Sequence, residues 1–175
     1  MIWMVTFSCA VSFHTVDIRM TEYLDYFTAM LATLFGVWGI IVRVFEVTRP
    51  STMWMIASPL MGFYGFHLMR MAFVHFSYGY NMRVTISLAV VNSCISAVWC
   101  FSQYRSSSHV KWMLMGHSAL LFFVSLEVID RPPFLGMFDT HAIWHLTINV
   151  IFFFYNRFYI YDTLHYPGGL SAKSE

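Results

Sequence analysis

The stretch "DYFTAMLATLFGVWGIIVRVF", residues 25–45, carries charge only at its first residue, Asp25, and near its end, at Arg43. At a rise of about 1.5 Å per residue, an α-helix of this length reaches across the roughly 30 Å hydrocarbon layer of a bilayer. The rest of the chain follows the same pattern. Of its 175 residues 58% are hydrophobic, 19% aromatic and only 11% charged, with a mean hydropathy of +0.61. A water-soluble domain of this size has too much surface per volume to hide that much apolar material. Apolar runs recur near residues 1–13, 25–45, 53–72, 84–102, 110–128 and 141–161. Backbone groups in lipid must be satisfied internally, so these runs are read as helices. The expected fold is all-α: a multi-pass transmembrane helix bundle of about six spans. It forms one domain over residues 1–166, followed by a flexible cytosolic tail, 167–175.

The polar breaks set the orientation. Pro50, Pro132, Pro133 and a turn at Gly79 punctuate the spans. One side of the membrane receives Arg19, Arg70, Arg83 and Arg131; the other receives Arg43, Arg49, Arg105, Lys111, Arg157 and Lys173. The positive-inside rule puts the second side and the C-terminus in the cytosol. Asp17, Glu22, Asp25, Glu127, Asp130 and Asp139 all fall on the opposite side, together with His14, His141 and His145. A net charge of +1 excludes a nucleic-acid footprint. Cys9, Cys94 and Cys100 suggest neither a disulfide framework nor a zinc knuckle. The apolar start lacks a basic region and runs into "SFHTVD", so no cleavable signal peptide is expected.

The chemistry gathers in "DTHAIWH", residues 139–145. His141 and His145 are four apart, stacked on one helical face at about 6 Å. His14 stands at the matching depth, where the first span ends on the same side. Three neutral imidazoles with an open fourth position describe a catalytic zinc (Zn2+) site. Asp139 is placed to cap the helix or to hold one imidazole in its ligating tautomer. Asp25 is placed to take a proton from an activated water. The same histidines can instead be hydrogen-bonded structural residues, and the spacing alone leaves both readings open. An i,i+4 pair suits a bis-histidine haem poorly. His67, His75, His109, His117 and His165 read as structural, the methionines and aromatic residues as packing and lipid contact, and Glu127 and Asp130 as partners for Arg131 or the loop.

"SFHTVDIRMTEYLDYF" (12–27), "FSYGYNM" (76–82), "LEVIDRPP" (126–133) and "DTHAIWH" occur here in an order that resembles the post-GPI-attachment lipid-remodelling factors. That family belongs to the CREST superfamily of membrane hydrolases, with alkaline ceramidases and adiponectin-type receptors. The resemblance covers residues 7–160. It implies a seven-helix fold with the site facing the lumen of the endoplasmic reticulum or Golgi. The implied activity is phospholipase A2-like removal of the sn-2 acyl chain from GPI-anchored proteins, so membrane lipid and those proteins are the expected partners. It also implies zinc on His14, His141 and His145, with Asp25 as the catalytic aspartate.

Two departures stand out. Members usually carry a cysteine-rich luminal region and one more helix, so this chain starts within their second helix. The superfamily serine four residues before the first ligating histidine is Ala10 here. Ser12, the nearest catalytic alternative, is turned about 160° from that face by the helical period. Rival expectations are a ceramidase-type lipid amidase and a non-catalytic membrane protein that binds GPI-anchored cargo.

Overall fold

The computed structural model describes residues 2–129 and 140–165, apart from the side chains at 126, 127, 129, 140, 141, 142, 145, 146 and 165. Among the described residues every regular element is helical: α1 Ile2–Thr15, α2 Arg19–Val44, α3 Pro50–Met69, α4 Tyr78–Gln103, α5 Val110–Ile129 and α6 Thr140–His165, with a π-helical turn at Arg70–Val74. Two of them, α2 and α4, are long and apolar enough to cross a membrane. Large apolar side chains point outward along the helices, among them Phe35, Trp54, Phe66, Val98, Phe101 and Phe122. Water would penalise that surface, whereas lipid does not. The expected tail, 167–175, lies outside the described residues, as do Pro132 and Pro133.

Helix ends are set by side-chain hydroxyls. Before α2, Ile18 N–H donates to Thr21 Oγ1 at 3.2 Å, and the Thr21 hydroxyl returns to Val16 O at 2.6 Å. This closure starts α2 six residues ahead of the expected span and places Asp25 in its second turn. Similarly, Ser77 Oγ accepts the Tyr80 N–H at 3.3 Å, a capping bond for the first turn of α4. Gly79, expected in a turn, is therefore helical. At the far end of α2, Glu46 takes a left-handed conformation, φ 49°, and Val47 N–H reaches back to Val42 O at 3.0 Å. Pro50 occupies the first turn of α3, where its missing N–H costs nothing. Pro59 lies inside that helix and removes the donor owed to Met55 O, yet the Ser58 hydroxyl donates to that carbonyl at 3.2 Å.

Contacts divide the chain into two compact units, residues 1–92 and 93–175, with α4 contributing to both. In the first, α1 packs on α2 and α2 on α3. Met30, Leu34, Val37 and Ile40 form the buried stripe of α2 at helical spacing. Polar bonds join the helices: Thr6 Oγ1 donates to Thr28 O at 3.3 Å, Trp38 Nε1 to Met53 O at 3.2 Å, and the Tyr64 hydroxyl to Phe27 O at 3.2 Å.

In the second unit α5 packs along α6. Val110, Met113, Ile151 and Phe158 are buried, His117 meets Tyr155 at 5.1 Å, and Trp99 of α4 meets Phe158 edge-on at 6.0 Å. His109 Nε2 lies 3.1 Å from Asp162 Oδ1, tying the start of α5 to the end of α6. His117 Nδ1 is 3.1 Å from Met113 O. These two histidines are thus hydrogen-bonded structural residues, as expected.

At Gly116 an added Cβ would stand 2.7 Å from Tyr155 Cε1. A Cβ at Gly62 would meet nothing within 4 Å. Gly116→Ala should therefore lower stability by about 1–3 kcal/mol, despite the better helix propensity of alanine. Gly62→Ala should leave it equal or slightly raised. Thermal unfolding of the two variants in detergent checks the pair.

Candidate functional site

The first unit gathers one end of its helices around an aromatic layer. Tyr26 of α2 stacks on Phe76 at 5.6 Å between ring centroids and 11° between planes, and also meets Tyr78 at 5.8 Å and Phe13 of α1 at 6.1 Å. Tyr23, one turn earlier, meets Phe76 at 5.0 Å and Phe27 at 5.4 Å. Arg19 closes the rim with its guanidinium carbon 5.9 Å from the Tyr23 ring. Each aromatic pair contributes about 0.5–1.5 kcal/mol beyond its buried area. Together they fix the end of α1, the start of α2 and the connection into α4 as one assembly.

Two predicted residues sit in this assembly. His14, the penultimate residue of α1, is exposed, and its ring lies 5.2 Å from that of Phe13. Asp25, next to Tyr26 on α2, is half-buried. The Phe13–Tyr26 contact therefore joins the immediate neighbours of His14 and Asp25. Ala10, one turn before His14, is the buried residue of α1, at 7% exposure. The Ser12 hydroxyl is exposed and donates to Ser8 O at 2.7 Å, within its own helix.

The remaining predicted residues belong to the second unit. The backbone at 141 and 145 is helical, in the first turns of α6, so these residues are one turn apart. The side chains of His141 and His145 lie outside the described residues, and so do Asp139 and Asp130 and the side chain of Glu127. Among the described residues no three His, Cys, Asp or Glu side chains are grouped as metal ligands. The donor chemistry of the predicted set fits zinc. It consists of imidazoles alone, and Cys100 is buried on α4 while Cys94 is exposed.

The aromatic layer escaped the sequence reading, which took such rings for packing. Its signal was position: Tyr23, Tyr26, Phe76 and Tyr78 lie where polar residues interrupt the apolar runs. A second group, His67, Arg70, Tyr80 and Asn81, was also missed as a group. His67 is fully buried with Nε2 3.1 Å from Asn81 Oδ1. It is hydrogen-bonded, as the structural reading of this histidine expected.

Comparison with known proteins places these features in context. A model of the Per1-like family matches residues 1–163. A Danio rerio protein called GPI-specific phospholipase A2-like PGAP3 is 36% identical over 155 residues, covering 87% of this chain and 48% of the relative. The Mus musculus protein of the same name is 31% identical, with 87% and 48% covered. The Schizosaccharomyces pombe Protein PER1 homolog is 28% identical, with 77% and 42% covered. The chain spans about half the length of the curated relatives it matches. No solved structure matches it. With the family model matching nearly the whole chain, this protein belongs to the Per1-like family.

Proposed function

We propose that this membrane protein is a zinc-dependent hydrolase that removes the sn-2 acyl chain from the lipid of GPI-anchored proteins, in the endoplasmic reticulum or Golgi. The observation that carries this reading is the position of His14 and Asp25. Both stand at one end of the first unit, in a chain whose family match extends through the "HAIWH" segment to residue 163. The relatives' printed name, GPI-specific phospholipase A2-like, supplies the substrate class.

In this reading the six helices cross the bilayer as one domain over residues 1–166. Residues 167–175 form a cytosolic tail, and the site faces the lumen. His14, His141 and His145 would hold zinc, and Asp139 would keep one imidazole in its ligating tautomer. The bound metal supplies Lewis acidity toward the ester carbonyl and lowers the pKa of water to about 7. Asp25 takes the proton of the attacking water and returns it to the leaving alcohol.

Ala10 bears on rate. On the face of His14 a serine at this position would offer a hydroxyl to the developing oxyanion, and alanine offers none. The Ser12 hydroxyl takes that role only on leaving its bond to Ser8 O. Loss of one such donor costs about two to three orders of magnitude in turnover. This observation favours a second reading, a membrane protein that binds GPI-anchored cargo without cleaving it.

A rescue assay separates the readings. In cells that lack the remodelling activity, this chain should restore saturated sn-2 chains on GPI anchors, read by lipid mass spectrometry. Asp25→Asn should reduce restoration by about a hundredfold or more, and Ala10→Ser should raise turnover at least about tenfold. Unchanged anchors at normal expression, with wild type and Ala10→Ser alike, would favour the cargo-binding reading. Preferential release of fatty acid from ceramide would favour the amidase.

A further inference from the structure

The π-helical turn Arg70–Val74 follows α3 directly, and single turns of this kind recur at functional sites. Around its first residue lies a cluster that the hydrolytic residues do not use. The Tyr80 ring stacks against the His67 ring, with centroids 5.4 Å apart and planes 21° apart. Against the same ring rests the guanidinium of Arg70, its central carbon 4.0 Å from the centroid. His67 donates from Nε2 to Asn81 Oδ1, which leaves Nδ1 as an acceptor, and that atom is buried without a partner. Arg70 Nε is likewise buried without a partner. Among the described residues no carboxylate stands within ion-pair distance of the guanidinium.

Among the described residues this is a positioned cation without an anion. The side chain of Arg70 is half-exposed, so part of its planar fork faces outward while its inner edge is clamped. Tyr80 supplies the platform. The buried His67–Asn81 bond locks α3 to α4 on either side of that platform. The cluster lies at the same end of the first unit as His14 and Asp25, because Phe76 and Tyr78, which touch Tyr26, join the π turn to α4. A guanidinium fork matches the paired oxygens of a phosphodiester, the anion that every glycerophospholipid carries. In a glycerophospholipid the phosphate and the acyl esters are only a few bonds apart. A lipid whose phosphate rests on Arg70 therefore carries its esters only a few bonds from that side chain.

We propose that Arg70, braced on Tyr80 and by the His67–Asn81 bond, is the receptor for the phosphodiester of the substrate lipid. Arg70 touches the headgroup, while Tyr80, His67 and Asn81 are positioning residues. The assignment rests on the reading of the substrate as a glycerophospholipid. It does not depend on the hydrolysis itself.

The test measures binding by the full chain in detergent, with dioctanoyl phosphatidylinositol, dioctanoylglycerol and inorganic phosphate as probes. Wild type should bind the phosphatidylinositol at least about tenfold more tightly than the diacylglycerol. Arg70→Ala should remove that preference. Arg70→Lys should keep a fraction of it, and should do so with melting temperature and zinc content unchanged. Tyr80→Phe should retain binding and Tyr80→Ala should lose it, since only the ring face is used. The proposal is overturned by equal binding of the two lipids, by full affinity in both Arg70 variants, or by inorganic phosphate competing as well as the lipid. Phosphate-selective binding without fatty-acid release would support the receptor while counting against the hydrolase.

Discussion

Polar groups of a chain in lipid have no water to turn to, and the arrangement of this molecule follows from that constraint. Where Pro59 removes a backbone donor, the hydroxyl of Ser58 replaces it. Where helices meet, Thr6, Trp38 and Tyr64 spend their donors on the carbonyls of the neighbouring helix. His109 finds Asp162, and His117 finds the carbonyl of Met113. His14 and Asp25, which have proposed chemical roles, stand instead near helix ends.

The helices were legible in the sequence because each apolar run is long and bounded by proline, arginine or a cluster of polar residues. Their starts were less so. Hydropathy marks the part of a helix that meets lipid, whereas α2 and α4 continue beyond it into polar segments closed by Thr21 and Ser77. Gly79 looked like a turn for the same reason: a glycine beside a capping serine fits either a bend or a first turn. His14, Asp25 and the 141/145 pair were visible because ionisable residues are rare in so apolar a chain. The aromatic layer was not, since in a chain one-fifth aromatic each ring looks like lipid contact. The Tyr26–Phe76 stack and the His67–Asn81 bond each join segments far apart in sequence, and no local pattern announces such pairs.

Ala10 connects the two halves of the functional account. A buried small residue packs α1 closely against α2, which suits the fold. The same residue leaves that turn of the His14 face without a hydroxyl. Under the two proposals substrate capture and turnover are separable: Arg70 would serve the first, and the imidazoles with Asp25 the second.

The central claim is that histidines from distant segments share one metal ion. Its most direct test is zinc content per chain, measured by mass spectrometry on protein purified in detergent without added chelator. One zinc per wild-type chain is expected, falling to background in His14→Ala and in His141→Ala while both variants remain folded. Wild type free of zinc, or either variant retaining it in full, would contradict the account.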